Sequence, residues 1–333
     1  MIEDCAKLMV YFGERDRAEG RFLADILLDL CEDRDTRASV LVRGTEGFGG
    51  KHQLQSQRLL SLSEDLPVVL AAVDAPQAIE ALADEVAARF DHGLVTVERA
   101  RLAGGVLDEG VLGPEPAKLT LMLGRHERIG RRPAFVAAVA ALQEAGVDGA
   151  SVLLGVDGTF EGTRHRGRFL SGNAQVPLMV VAMGAGAAVE GGLRALHELL
   201  DDPLVLLERV RVCKRAGERL ADPDGHVRAG HWQKLMVHAP EDTQAGGHAL
   251  HVTLVRRLLA AGADGATAIR GVWGYQGTEP PHGDRLLSVR RRVPVVTTII
   301  DAPERAVGWY RIADELTASA GVITSELVPT RRV

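Results

Sequence analysis

Arg58-Leu59-Leu60-Ser61 returns as Arg168-Phe169-Leu170-Ser171 and again as Arg285-Leu286-Leu287-Ser288. Six residues beyond each serine stands a proline, Pro67, Pro177 and Pro294, and each proline introduces an apolar run. Upstream, Lys7-Leu8, Lys118-Leu119 and Lys234-Leu235 open another apolar run. Downstream, an apolar stretch closes on Glu98, Glu208 or Glu326. Asp74-Ala75-Pro76 is echoed by Asp301-Ala302-Pro303, and from Lys7 to Pro76 the first and third copies stay 227 residues apart. Ordered agreement at so many positions means one unit written three times.

Periodicity within the first copy sets its fold. Leu8–Phe12, Ser39–Val42, Val68–Val73 and Leu94–Val97 are short apolar runs of strand type. Phe22, Ile26, Leu27 and Leu30 recur at helical spacing, as do Ile79, Leu82, Val86 and Phe90 behind Pro76, a residue suited to a first helical turn. The order βαββαβ predicts an α+β protein of three tandem ferredoxin-like domains. The expected divisions are repeats at 6–103, 117–213 and 233–330, joined by surface linkers at 104–116 and 214–232. The second linker carries the turn signal Asp222-Pro223-Asp224-Gly225.

Length alone, 333 residues, argues for two domains at about 150 residues each. The repeats replace that with three units. An apolar share of 46% against 25% charged residues is that of a globular chain. A net charge of −6 and 4% aromatics disfavour nucleic-acid partners. The longest apolar stretch, Val176–Val189, has 14 residues, is interrupted by Pro177, Gly184 and Gly186, and is too short to span a bilayer. The acidic opening Ile2-Glu3-Asp4 lacks a signal-peptide pattern. Three scattered cysteines form neither a disulfide framework nor a zinc pattern, so a cytoplasmic location is expected. His248 and His251 lie three apart without further ligands, so no metal is expected. The recurring serines have no recurring histidine or aspartate beside them, and no Walker, GxSxG or HExxH pattern occurs, so no enzymatic activity is expected.

The candidate site lies in a long connection. About 23 residues, Gly44–Leu66, separate the second and third strands, where a hairpin needs two to five. It begins Arg43-Gly44-Thr45-Glu46-Gly47-Phe48-Gly49-Gly50-Lys51-His52, and Arg270-Gly271-Val272-Trp273-Gly274 repeats part of it. Glycines let backbone N–H groups approach an anion, and Arg43, Lys51 and His52 can neutralise one, although the same glycines serve a simple turn. Gly13, Glu14, Arg15 and Arg17, after the first strand, are the second group of candidates, with Arg15 or Arg17 facing a phosphate or forming a solvated turn. Arg58, Arg270, Gly271 and Gly274 complete the set.

Tyr11-Phe12-Gly13-Glu14, Arg43-Gly44-x-x-Gly47-Phe48-Gly49, Leu62-Ser63-Glu64-Asp65-Leu66-Pro67-Val68-Val69 and Gly93-Leu94-Val95-Thr96 together resemble the PII-like signalling proteins of domain-of-unknown-function family number 190. The likeness is clear in copy one, partial in copy three and degraded in copy two. It implies trimer-like assembly with ligand clefts between units, adenine nucleotides or small anionic metabolites as ligands, and a protein partner, such as a membrane channel or transporter, contacted through the long loop. For this chain it implies a monomer closed into an intramolecular pseudo-trimer. The alternative is a ligand-free adaptor or structural protein docking on a channel or enzyme. The Gly- and Lys-rich phosphate loop of nucleotide-regulated PII proteins is replaced by Arg89-Phe90-Asp91-His92-Gly93 and by Ala318-Ser319-Ala320-Gly321.

Overall fold

The computed structural model describes residues 2–56, 65–89, 93–105, 110–160, 162–165, 176–283, 292–318 and 321–332. The first repeat holds β1 (Ile2–Gly13), α1 (Leu23–Asp33), β2 (Ala38–Arg43), β3 (Glu46–Phe48), β4 (Pro67–Asp74), α2 (Pro76–Ala88) and β5 (Leu94–Ala103). The second holds β6 (Ala117–Gly124), α3 (Ala134–Glu144), β7 (Gly149–Phe160), β8 (Pro177–Gly184), α4 (Gly186–Leu199) and β9 (Leu204–Arg209). After β10 (Arg211–Arg215), the third holds β11 (His231–Pro240), α5 (Leu250–Ala260), β12 (Ala266–Arg270), β13 (Trp273–Gln276), β14 (Pro294–Asp301), α6 (Pro303–Thr317) and β15 (Val322–Arg332). Each repeat pairs its four long strands antiparallel in the spatial order last, first, third, second: β5-β1-β4-β2, β9-β6-β8-β7 and β15-β11-β14-β12.

The helices cover one face of each sheet. Ile26, Leu27 and Leu30 of α1 and Ile79, Leu82 and Val86 of α2 pack over Leu8, Val10 and Leu70. Phe22 departs from the expected stripe. The helix starts at Leu23, which is buried, whereas Phe22 stays 43% exposed with the Arg17 guanidinium 4.1 Å above its ring. The opposite faces of the three sheets meet in one central cluster, with Val40, Val69 and Ala71, Met122, Leu153 and Leu206, and Met236, Ile269 and Val296 drawn from the successive repeats. Strands buried on both faces read as continuous apolar runs rather than alternating ones, which is why Val68–Val73 shows no polar period.

Strand ends running past the expected boundaries join the repeats into a cyclic, trimer-like arrangement. The end of β5 pairs with β9 (Leu102 opposite Leu206), β10 with β15, and the end of β15 with β5 (Thr330 opposite Thr96). Strand β10 and the short strand Glu218–Arg219 form a hairpin inside the expected 214–232 linker. Lys214 is therefore buried and ion-paired to Asp314 at 2.7 Å, so the start of this linker is part of the third sheet. Among the described residues no helix is long and apolar enough to cross a membrane.

Candidate functional site

The long connection after β2 is a strand before it is a loop. β3 adds itself to the edge of the third repeat, placing Gly47 opposite Thr267 and Phe48 opposite Ala266. The end of β7 adds to β2, with Gly158 opposite Val40, and β13 adds to β7, with Gly274 opposite Ser151. Each repeat thus lends its connection to the next edge, leaving backbone donors and acceptors paired. The glycines serve this crossing. A Cβ on Gly47 would lie 2.6 Å from the Ala266 carbonyl oxygen and 3.0 Å from Pro67, and one on Gly158 would lie 2.2 Å from the Ser39 oxygen and 2.5 Å from Pro177. Gly44 rests on Pro67, and Gly271 and Gly274 on Pro294, in the same way. The repeated prolines and glycines are therefore two sides of one contact.

Where β3 leaves the third repeat, a cavity of about 710 Å³ opens between repeats one and three. Tyr11, Phe12 and Gly13 at the end of β1, Phe48 to Lys51 of the connection, and Leu94 form one wall; Trp232, Asp264 to Thr267, Thr298 and Ile300 form the other. Of the expected site residues, Gly13, Phe48, Gly49 and Lys51 line it. Among the described residues Lys51 is the lining cation, and it sits 3.1 Å from Asp16. Asp16 also accepts from the Gly13 N–H, Asp65 from the Arg15 N–H and Gln55, and Asp264 pairs with Arg305 at 2.8 Å.

The remaining described candidates are outside this lining. Arg43 pairs with Glu14, and the equivalent Arg270 pairs with Glu241 at 2.9 Å, so both guanidiniums are engaged within their own repeats. Arg17 covers Phe22 and donates to the Gly20 carbonyl, closing a local turn rather than facing the cavity. His52 stacks on Phe48 with ring centroids 6.4 Å apart. Arg58 lies outside the described residues, as do the recurring serines.

A second cluster joins residues from all three repeats. Lys7, Lys118 and Lys234 lie directly across from Glu98, Glu208 and Glu326 in their own sheets. Each lysine also reaches the next repeat's glutamate, at 2.7 Å for Lys7–Glu208, Lys118–Glu326 and Lys234–Glu98. The within-repeat pairs measure 2.9, 3.3 and 3.1 Å, giving a closed ring of alternating charge. Burial opposes the Lys118 charge, but Glu208, Glu326 and Glu98 outweigh it and hold its ammonium above the usual lysine range. Burial likewise works against the Glu98 carboxylate, yet Lys234, Lys7 and Lys118 hold it well below the usual carboxylate range. The glutamates converge closely enough to resemble a metal triad, but three ammonium groups already neutralise them. The signal in the sequence was one lysine and one glutamate recurring on otherwise apolar strands.

The profile of the DUF190 family, described as Uncharacterized ACR, COG1993, matches residues 5–102, 117–212 and 232–330. The chain belongs to the DUF190 family. A UPF0166 protein from Aquifex aeolicus (strain VF5) is 32% identical over 93 residues, 28% of this chain and 86% of that protein.

The three DUF190 copies differ at one place where they meet. At the outer edge of the contact between repeats two and one, Arg164 binds Asp157, Asp25 and Asp29 at 3.0, 3.1 and 2.6 Å. The corresponding place between repeats one and three pairs Glu46 with Arg256 at 3.6 Å, and between three and two Trp273 packs in an apolar cluster. Three different chemistries at equivalent positions favour one cyclic order of the repeats over others.

Proposed function

We propose that this DUF190 chain is a non-enzymatic, PII-like regulatory protein. Its three ferredoxin-like repeats close into an intramolecular pseudo-trimer that senses a small anionic ligand, foremost an adenine nucleotide, between repeats one and three. A change in the connection after Arg43 then signals to a protein partner. The observation that carries this reading is the cavity of about 710 Å³, a volume within the roughly 300–1,000 Å³ of small-molecule sites. Phe48, Leu94 and Trp232 offer apolar area to a base, while backbone groups at Gly49, Gly50 and Gly265 and the Thr267 hydroxyl offer orienting hydrogen bonds.

Charge narrows the ligand. Among the described lining residues one lysine stands with three aspartates, a balance that suits a single phosphate better than a triphosphate chain. Titration calorimetry with AMP, cyclic AMP, ADP and ATP should show the monophosphates binding more tightly than ATP. Lys51→Glu should weaken AMP binding by about tenfold or more, the scale of one charged hydrogen bond lost. Arg43→Ala should leave it unchanged, because Arg43 is held by Glu14 away from the lining. Absence of binding by all four nucleotides would refute the nucleotide reading and favour the ligand-free adaptor.

A further inference from the structure

We propose that one repeated position, occupied by Gly49, Phe160 and Gln276, decides which inter-repeat cleft is open, so that the chain holds a single ligand site rather than three. The inference rests on the reading of the first–third cleft as a ligand site. Strand register establishes the equivalence. Phe48, Thr159 and Tyr275 face Ala266, Ser39 and Ala150. Those three residues occupy matching places in their own sheets, opposite Ile299, Ala72 and Ala182. The next residue outward in each connection is Gly49, Phe160 or Gln276.

Their surroundings differ as a gate requires. A Cβ built on Gly49 meets nothing within 4 Å, and this glycine lines the cavity. Phe160, opposite Ala38, packs into the apolar cluster that contains Ala38, Met122 and Leu153. Gln276, opposite Gly149, donates through its Nε2 to the His238 carbonyl oxygen at 2.8 Å. His238 is the counterpart of Tyr11, a wall of the open cavity, since each lies four residues after its ring lysine. The Gln276 side chain thus spans the space that Gly49 leaves free. The far wall follows the same division. Thr267 and Thr298 line the open cleft, whereas their counterparts Val40 and Ala71 are sealed in the central apolar cluster. A trimer of identical subunits must present three equal sites and permits cooperativity between them; a chain with one open cleft binds one ligand without it.

Cysteine labelling of the full chain tests the gate without any ligand, with Cys5, Cys31 and Cys213 first replaced by alanine so that the introduced thiol alone reports. Thr267→Cys should react with methyl methanethiosulfonate, and adding Gly49→Phe should slow it by about tenfold or more, because access then requires local opening. Val40→Cys should be protected and should become reactive when Phe160→Gly is added. Equal rates for Thr267→Cys with and without Gly49→Phe, or for Val40→Cys and Thr267→Cys with Phe160 in place, would overturn the gate. Equilibrium dialysis with AMP should give one site per chain, lost in Gly49→Phe; two or three sites would also overturn it. Failure of AMP to bind at all counts against the nucleotide reading, while the labelling rates alone still decide the gate.

Discussion

Replacing Lys118 with methionine removes one of the six charges that close the central ring while keeping most of the side chain's volume. Lys118 touches Glu326 at 2.7 Å and Glu208 at 3.3 Å and is 1% exposed. The ring of three ammonium and three carboxylate groups would become a buried cluster carrying one uncompensated negative charge. Removing one partner of such a pair costs about 3–5 kcal/mol, mostly from the charge left without water or counterion. At about 1.4 °C per kcal/mol for a chain of this length, the melting temperature should fall by roughly 4–7 °C near pH 7. Glu98 and Glu326 are held below the ordinary carboxylate range in the fold, by ammonium groups that outweigh burial. Their contribution is therefore present above the unfolded value of about 4.3 and lost as pH falls through the lower folded values. The deficit of Lys118→Met should accordingly shrink below about pH 4.5, where a proton can replace the missing cation. Adding Glu208→Gln to Lys118→Met should recover part of the loss at pH 7 by restoring neutrality. Urea unfolding at pH 7 and pH 4, followed by the fluorescence of Trp232, Trp273 and Trp309, measures all three variants. A cost below about 1 kcal/mol, the range of surface pairs, or the same cost at both pH values, would refute the argument.

Burial, with Lys118 and Lys234 nearby, pushes His238 down to about 3, so the imidazole is neutral in the fold and protonates more readily when unfolded. Its contribution is complete above about pH 6.5 and declines as pH falls toward 3, by up to about 1.4 kcal/mol per pH unit. His238→Met, copying its counterpart Met122, should flatten the stability profile between pH 6.5 and 4; superimposable slopes in urea titrations would contradict this. Gly158→Ala should destabilise the chain by about 1–3 kcal/mol, because its Cβ meets the Ser39 carbonyl at 2.2 Å. Gly49→Ala, with open space around its Cβ, should leave the melting temperature unchanged, and equal losses in the two variants would remove the strand-crossing explanation.

Repetition and periodicity were legible because they are local: α1 and α2 show their stripes at Ile26, Leu27 and Leu30 and at Ile79, Leu82 and Val86, and Pro76 starts its helix as expected. The glycine-rich connection was harder to read, since glycine permits close approach without saying what approaches. An anion and a neighbouring carbonyl oxygen make the same demand on Gly47, and the tertiary pairing with Ala266 and Pro67 met it. Arg43 and Arg17 were ambiguous for a similar reason: a guanidinium serves a phosphate, a carboxylate or an aromatic face, and the available neighbours were Glu14 and Phe22.

The sequence by itself determined three copies of one α+β unit and a lysine and a glutamate standing at the same place in every copy. Tertiary structure alone decided that these six residues form one ring, because each lysine lies within reach of a glutamate more than a hundred residues away only after the three sheets have met. It also decided where a cavity remains. Gly49, Phe160 and Gln276 are an ordinary substitution series along the chain, but each faces the edge of a different repeat, and there the size of one side chain separates open space from packed core.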